Sequence, residues 1–149
     1  MLPLGHLTCA LLLSDAVDGD PLAAAACSQL PDLVDKPLAW VFKATKSSRY
    51  LVHNLAAGGV LTALAYKFGG SRVARGAASG HFSHLLADQT FGGKIPFLWP
   101  FKSYRLGHSK FRFYLKPLIA EALAAAYLAH RFRLIESRGE PVSTGHAAG

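Results

Sequence analysis

His84 and Asp88 stand four residues apart in a stretch of Ala, Leu and Phe that meets no helix breaker before Gly92. On an α-helix, positions i and i+4 lie one above the other, so this spacing stacks an imidazole and a carboxylate on one face. Both groups are common ligands of zinc and related divalent ions. His81, three residues before His84, shares the same broad face. The pair alone also describes a buried, hydrogen-bonded couple with no metal, because buried polar groups find partners one way or another.

Three more residues extend the donor set. In chain order it reads His6, Asp32, His53, His84 and Asp88. Neutral imidazoles and carboxylates bind a borderline divalent ion and leave positions for water, as a one- or two-metal hydrolytic site requires. Such an ion lowers the pKa of water and steadies charge on a phosphoryl or acyl oxygen. Asp35 is a candidate outer partner or alternative ligand. Arg49 and Lys36 are placed to offset negative charge on a substrate. The competing reading makes Asp32 the cap of a short helix and His53 an ordinary core residue.

These residues need helices to hold them. Apolar segments cover residues 4–13, 22–30 and 50–66. A fourth helix opens at Arg72 and Arg75 and carries the His84/Asp88 stretch. A last one covers residues 116–133. Asp20 is a plausible N-cap with Pro21 at the first helical position, and Pro31 is the expected stop of the second helix. Phe68-Gly69-Gly70-Ser71 is the expected stop of the third. No strand pattern competes, so the chain reads as all-α: a small bundle of about five helices over residues 1–135, with a disordered tail, rich in Gly, Ser and Pro, over 136–149.

The chain is 149 residues long, 51% hydrophobic and only 17% charged, yet it carries a net formal charge of +7. That balance points to a partner bearing phosphates: an anionic membrane surface, a phospholipid or a nucleic acid. Basic and aromatic residues interleave over 101–116, which suits either a headgroup interface or a single strand. The apolar helices favour the membrane, and no basic motif of known geometry supports nucleic acid. Residues 50–66 just reach the span of about 17–25 residues that crosses a bilayer. Basic loops follow three successive helices, however, which conflicts with the positive-inside rule if every helix spans. The expectation is a bundle partly embedded in a membrane or resting on it. Cys9 and Cys27 read as small buried hydrophobes. The first residues lack the basic n-region of a signal peptide.

Gly5-His6-Leu7, the segment Pro31-Asp32-Leu33-Val34-Asp35-Lys36-Pro37-Leu38, the Arg49/His53 segment and the stretch from Gly80 to Pro100 together resemble the small membrane-bound metal-dependent hydrolases of bacteria and archaea. That resemblance implies a helical, membrane-associated enzyme, with zinc as the first candidate metal. Many members carry His-Arg-x-x-Thr-His-Ser where this chain has Ser48-Arg49-Tyr50-Leu51-Val52-His53-Asn54. Ser48 therefore replaces a His and Val52 a Thr. A more distant likeness, in ligand order, is to the helical zinc phospholipase C and single-strand nuclease superfamily. It implies that Asp32, His53, His84 and Asp88 hold one ion while His6 and a bridging Asp88 serve a second, with His108 or His130 as further candidates. The alternative is a non-enzymatic helical membrane protein whose His/Asp cluster is a structural metal site or a packing network.

Overall fold

The computed structural model describes residues 3–91, 94–102 and 115–137. They form four helices: α1 (Pro3–Ala16), α2 (Pro21–Trp40), α3 (Leu55–Phe91) and α4 (Leu115–Ser137). No strand occurs among the described residues, so the all-α expectation holds. Gly70 takes φ 74° and ψ −169°, a conformation essentially closed to residues with a Cβ, and divides α3 into two helices. The interleaved basic–aromatic stretch lies largely outside the described residues, as does His108, and so does the tail from residue 138.

Two boundaries differ from expectation. The second helix does not stop at Pro31 but continues through it and Pro37 to Trp40. A proline inside a helix costs about 3 kcal/mol because it removes one N–H and crowds the carbonyl four residues back. Asp32 is consequently no cap; it lies inside α2, and tertiary hydrogen bonds made by the Ser28 carbonyl and Asp35 offset that cost. Asp20 caps α2 as expected, accepting from Ala23 N at 2.8 Å, with Pro21 behind it. The third helix begins at Leu55, not at residue 50. Asn54 caps it, its Oδ1 accepting from Ala57 N at 2.8 Å. His53 therefore lies in the loop before the helix.

A four-residue register fixes α2 against the second half of α3. A Cβ at Gly76 would lie 2.2 Å from the Asp20 carbonyl oxygen, and one at Gly80 would lie 2.2 Å from that of Ala24. One step further, His84 bonds to the Ser28 carbonyl, and the next step pairs Asp88 with Asp32. The two helices thus run parallel, and the glycines let the backbones close until an imidazole bridges them. On α1, His6, Ala10 and Ser14 form the matching buried stripe at four-residue spacing. His6 stacks on His84, with ring centroids 3.9 Å apart. α4 anchors to the start of α1: the buried Glu121 accepts from Gly5 N at 2.9 Å, one residue before His6.

The interior is unusual in kind. Among the described residues, the buried hydrophobic ones are chiefly alanines, and Leu85 is the largest fully buried side chain of any type. His6, His53, His84, Asn54, Asp35 and Asp88 follow it in size. Large apolar residues stand outside instead, among them Leu22, Leu33, Phe42, Phe68 and Phe101. Buried polar groups and exposed apolar area are the informative departures from a water-soluble pattern. Small residues at helix interfaces, polar side chains inside and apolar ones outside suit a lipid environment. Even so, no described helix is long and apolar enough to cross a membrane, and of residues 50–66 only the part from Leu55 is helical.

Candidate metal centre

Asp32, His53, His84 and Asp88 converge, each offering one ligand atom, with all four atoms within 4.8 Å of one another. Each comes from a different local context. Asp32 belongs to α2, His53 to the loop before α3, and His84 with Asp88 to the i, i+4 face of α3.

The two imidazoles are oriented by their far nitrogens. His53 Nδ1 lies 2.7 Å from Asp35 Oδ2, and His84 Nδ1 lies 2.6 Å from the Ser28 carbonyl oxygen. A carbonyl oxygen or carboxylate can only accept, so each Nδ1 carries the proton and donates. The neutral rings then aim both Nε2 lone pairs into the cluster, where those atoms are 3.2 Å apart. His53 Nε2 is 3.5 Å from Asp32 Oδ1 and 3.6 Å from Asp88 Oδ2. Two lone pairs and two carboxylates facing one another repel unless a cation lies between them. Ligands bonded to one tetrahedral ion at about 2.0–2.1 Å stand roughly 3.3–3.4 Å apart, close to these separations. The donor set fits a divalent ion.

The electrostatics point the same way. Burial would lower the basicity of His53, but its bonds to Asp32 and Asp35 and the nearby Asp88 charge outweigh that and raise its pKa. Burial, followed by the charge of His6, depresses His84 to about 3. The pocket thus favours one positive charge between the rings, from a proton on His53 or from an ion in its place. Burial opposes ionisation of Asp88, yet His6 and Arg49 hold it well below the ordinary carboxylate range. Burial likewise opposes ionisation of Asp32, which His53 and Lys36 overcome.

Asp35 has a separate task. Its carboxylate accepts from Tyr50 N at 2.9 Å, Leu51 N at 3.2 Å and Val52 N at 3.1 Å, besides His53 Nδ1. It is not among the converging ligands. It grips the loop that delivers His53 and fixes that ring's tautomer, as outer carboxylates do for metal-binding histidines. Pro31 has no N–H to offer the Cys27 carbonyl, and the adjoining Ser28 carbonyl is the one that accepts from His84 Nδ1.

The remaining candidates border the group. His6 is fully buried, its Nε2 3.4 Å from Asp88 Oδ1, the oxygen turned away from His53, and neither ring nitrogen makes a hydrogen bond. Arg49 Nε donates to Asp88 Oδ2, and Lys36 Nζ lies 2.5 Å from Asp32 Oδ2. His81 faces away and bonds the Asn54 carbonyl at 3.0 Å. His130 is exposed on α4, outside the group. The cysteines are free and half-buried. Sequence reasoning missed the positioning roles of Ser28, Gly76 and Gly80. The run Gly76, Gly80, His84, Asp88 at four-residue spacing was the available signal.

A helical bundle with a polar, charge-lined interior and an apolar exterior is the organisation of a membrane-associated protein. Residues 1–147 match the YdjM inner membrane protein family, and the chain belongs to it. No curated protein and no solved structure matches the chain.

Proposed function

We propose that this chain is a membrane-associated metal-dependent hydrolase acting on a phosphoester. The observation that carries the reading is the pair of Nε2 atoms facing each other at 3.2 Å, each on a ring held through its Nδ1 and flanked by a carboxylate. Asp32, His53, His84 and Asp88 would hold the ion, zinc being the first candidate, and Asp88 Oδ1 with His6 offers donors toward a second. When bound, such an ion supplies Lewis acidity, making water acidic enough to attack near neutral pH and offsetting charge on a phosphoryl oxygen. Of the surrounding groups, Lys36 and Arg49 are about a third exposed, while His53, His84 and Asp88 are sealed. Approach is therefore past two cations, which would orient an anionic phosphoryl group and release Asp32 and Asp88 as it binds.

A structural ion or a self-satisfied polar network is the second reading. It draws on the same contacts: Arg49 and Lys36 already neutralise the two carboxylates, and four protein donors can close a tetrahedral shell. Elemental analysis of purified wild type beside Asp88→Asn tests metal binding. One or two equivalents of divalent ion, lost in the variant, are expected. Phosphodiester and phosphomonoester screens of the loaded protein then separate the readings. A metal-free wild type that cannot be reloaded would sink the hydrolase.

A further inference from the structure

The way into the cluster is bordered by a surface with its own chemistry. Asp32, Lys36 and Trp40 follow one another at four-residue spacing on α2, and Lys36 Nζ lies 5.9 Å from the Trp40 ring centre. This line leads from the half-buried Asp32 carboxylate to the exposed end of the helix. There Val41 and Phe42, each 70% exposed, begin the loop that Asp35 grips further on. The segment 94–102 stands beside that loop: Leu55 N donates to the Phe97 carbonyl at 3.0 Å, and the Tyr50 and Trp99 rings are 5.4 Å apart. It adds Leu98 and Phe101, the latter 89% exposed. Lys43, Lys46, Lys94 and Lys102 are exposed among these apolar tips.

The charge on this rim is of one sign. Between Lys36 and Ala120 the sequence contains a single acidic residue, Asp88, and that one is buried in the cluster. Exposed Trp, Phe and Leu interleaved with lysines is the composition that sits at an anionic lipid interface, apolar tips among the acyl chains and ammonium groups at the headgroup phosphates. A water-soluble phosphate compound would be served by the lysines and gives no account of Phe42 and Phe101.

We infer that this rim docks on an anionic bilayer surface, and that the phosphoester reaching the cluster is carried by a lipid drawn from that surface. The docking stands on the rim alone; the lipid as substrate rests on the hydrolase reading above. The headgroup phosphate would pass Lys36 and Arg49 while its acyl chains stay against Trp40, Phe42 and Phe101.

The test uses the full-length protein in vesicles of phosphatidylcholine with or without phosphatidylglycerol. Trp99→Phe leaves Trp40 as the only tryptophan. Acyl-chain-brominated lipid should quench Trp40 several-fold more strongly when phosphatidylglycerol is present, and Asp88→Asn should not alter that. Quenching of Trp40 by acrylamide but not by brominated lipid overturns the docking. In the metal-loaded protein, Phe42→Ser with Phe101→Ser should lower turnover of a vesicle-borne phospholipid tenfold or more and leave a soluble nitrophenyl phosphodiester unaffected. Both side chains are exposed, so the melting temperature should hold. Equal loss on both substrates, or no loss on vesicles, overturns the lipid as substrate. Turnover of neither by wild type counts against the hydrolase reading, and the quenching result still decides the docking.

Discussion

Replacing Asp35 by Asn isolates the residue that shapes the centre without touching it. The carboxylate accepts from three successive backbone N–H groups, at 2.9, 3.2 and 3.1 Å, and from His53 Nδ1 at 2.7 Å. Asparagine keeps one acceptor oxygen and turns an NH2 toward groups that can only donate. Val52 N reaches both oxygens, so the carboxylate makes five contacts, two through Oδ1 and three through Oδ2, and at least two of the five are then lost. Hydrogen bonds to a charged group contribute about 1.5–3 kcal/mol each, so the cost is about 3–6 kcal/mol. Total stabilities are only about 5–15 kcal/mol, and for a chain of this size the melting temperature should fall on the order of 10 °C. His53 also loses the anchor that selects its tautomer, which should weaken metal binding about 10–100-fold. Thermal melts followed by circular dichroism, in the presence and absence of metal, and equilibrium dialysis against zinc read the two effects separately. A variant that melts with the wild type and keeps its affinity within twofold would refute the assignment of Asp35 as the clamp.

Chelation should lower the melting temperature of the loaded wild type and leave that of Asp88→Asn unchanged, since an ion bound only to the folded state adds its binding energy to stability. Gly76→Ala and Gly80→Ala should each cost at least about 1–3 kcal/mol, because a Cβ would meet backbone carbonyls of α2 at 2.2 Å. Gly59→Ala, with nothing within 4 Å of the added carbon, should instead stabilise α3 by about 0.5–1 kcal/mol; thermal melts of the three variants check both signs. In the metal-free protein His84 contributes acid lability. Its folded pKa of about 3 lies below the ordinary histidine value of 6.5, so between these values the unfolded chain binds the extra proton and stability falls as pH falls. Denaturant titrations should show that slope reduced in His84→Gln. His53 works in the opposite sense: its raised pKa adds stability that is present below the unfolded value and lost as pH rises through the folded one.

The helical class was legible in the sequence because it depends on local signals: long apolar runs without strand alternation, the Asp20-Pro21 start and the Gly70 break. The i, i+4 pairing of His84 with Asp88 was legible for the same reason, being a property of one helix. Pro31 misled because its cost is local and its compensation is not. The bonds that carry α2 through to Trp40 come from His84, Tyr50, Leu51, Val52 and His53, all remote in sequence. Asp32 and Asp35 look interchangeable in Pro31-Asp32-Leu33-Val34-Asp35, three residues apart on one helix. Only tertiary structure decides that one faces the two imidazoles while the other closes on a loop. The sequence by itself determined which donors exist and which two share a helix face. Their convergence within 4.8 Å was decided by helix approach, which depends on what lies opposite Gly76 and Gly80, and a backbone distance between segments is not a property of either segment alone.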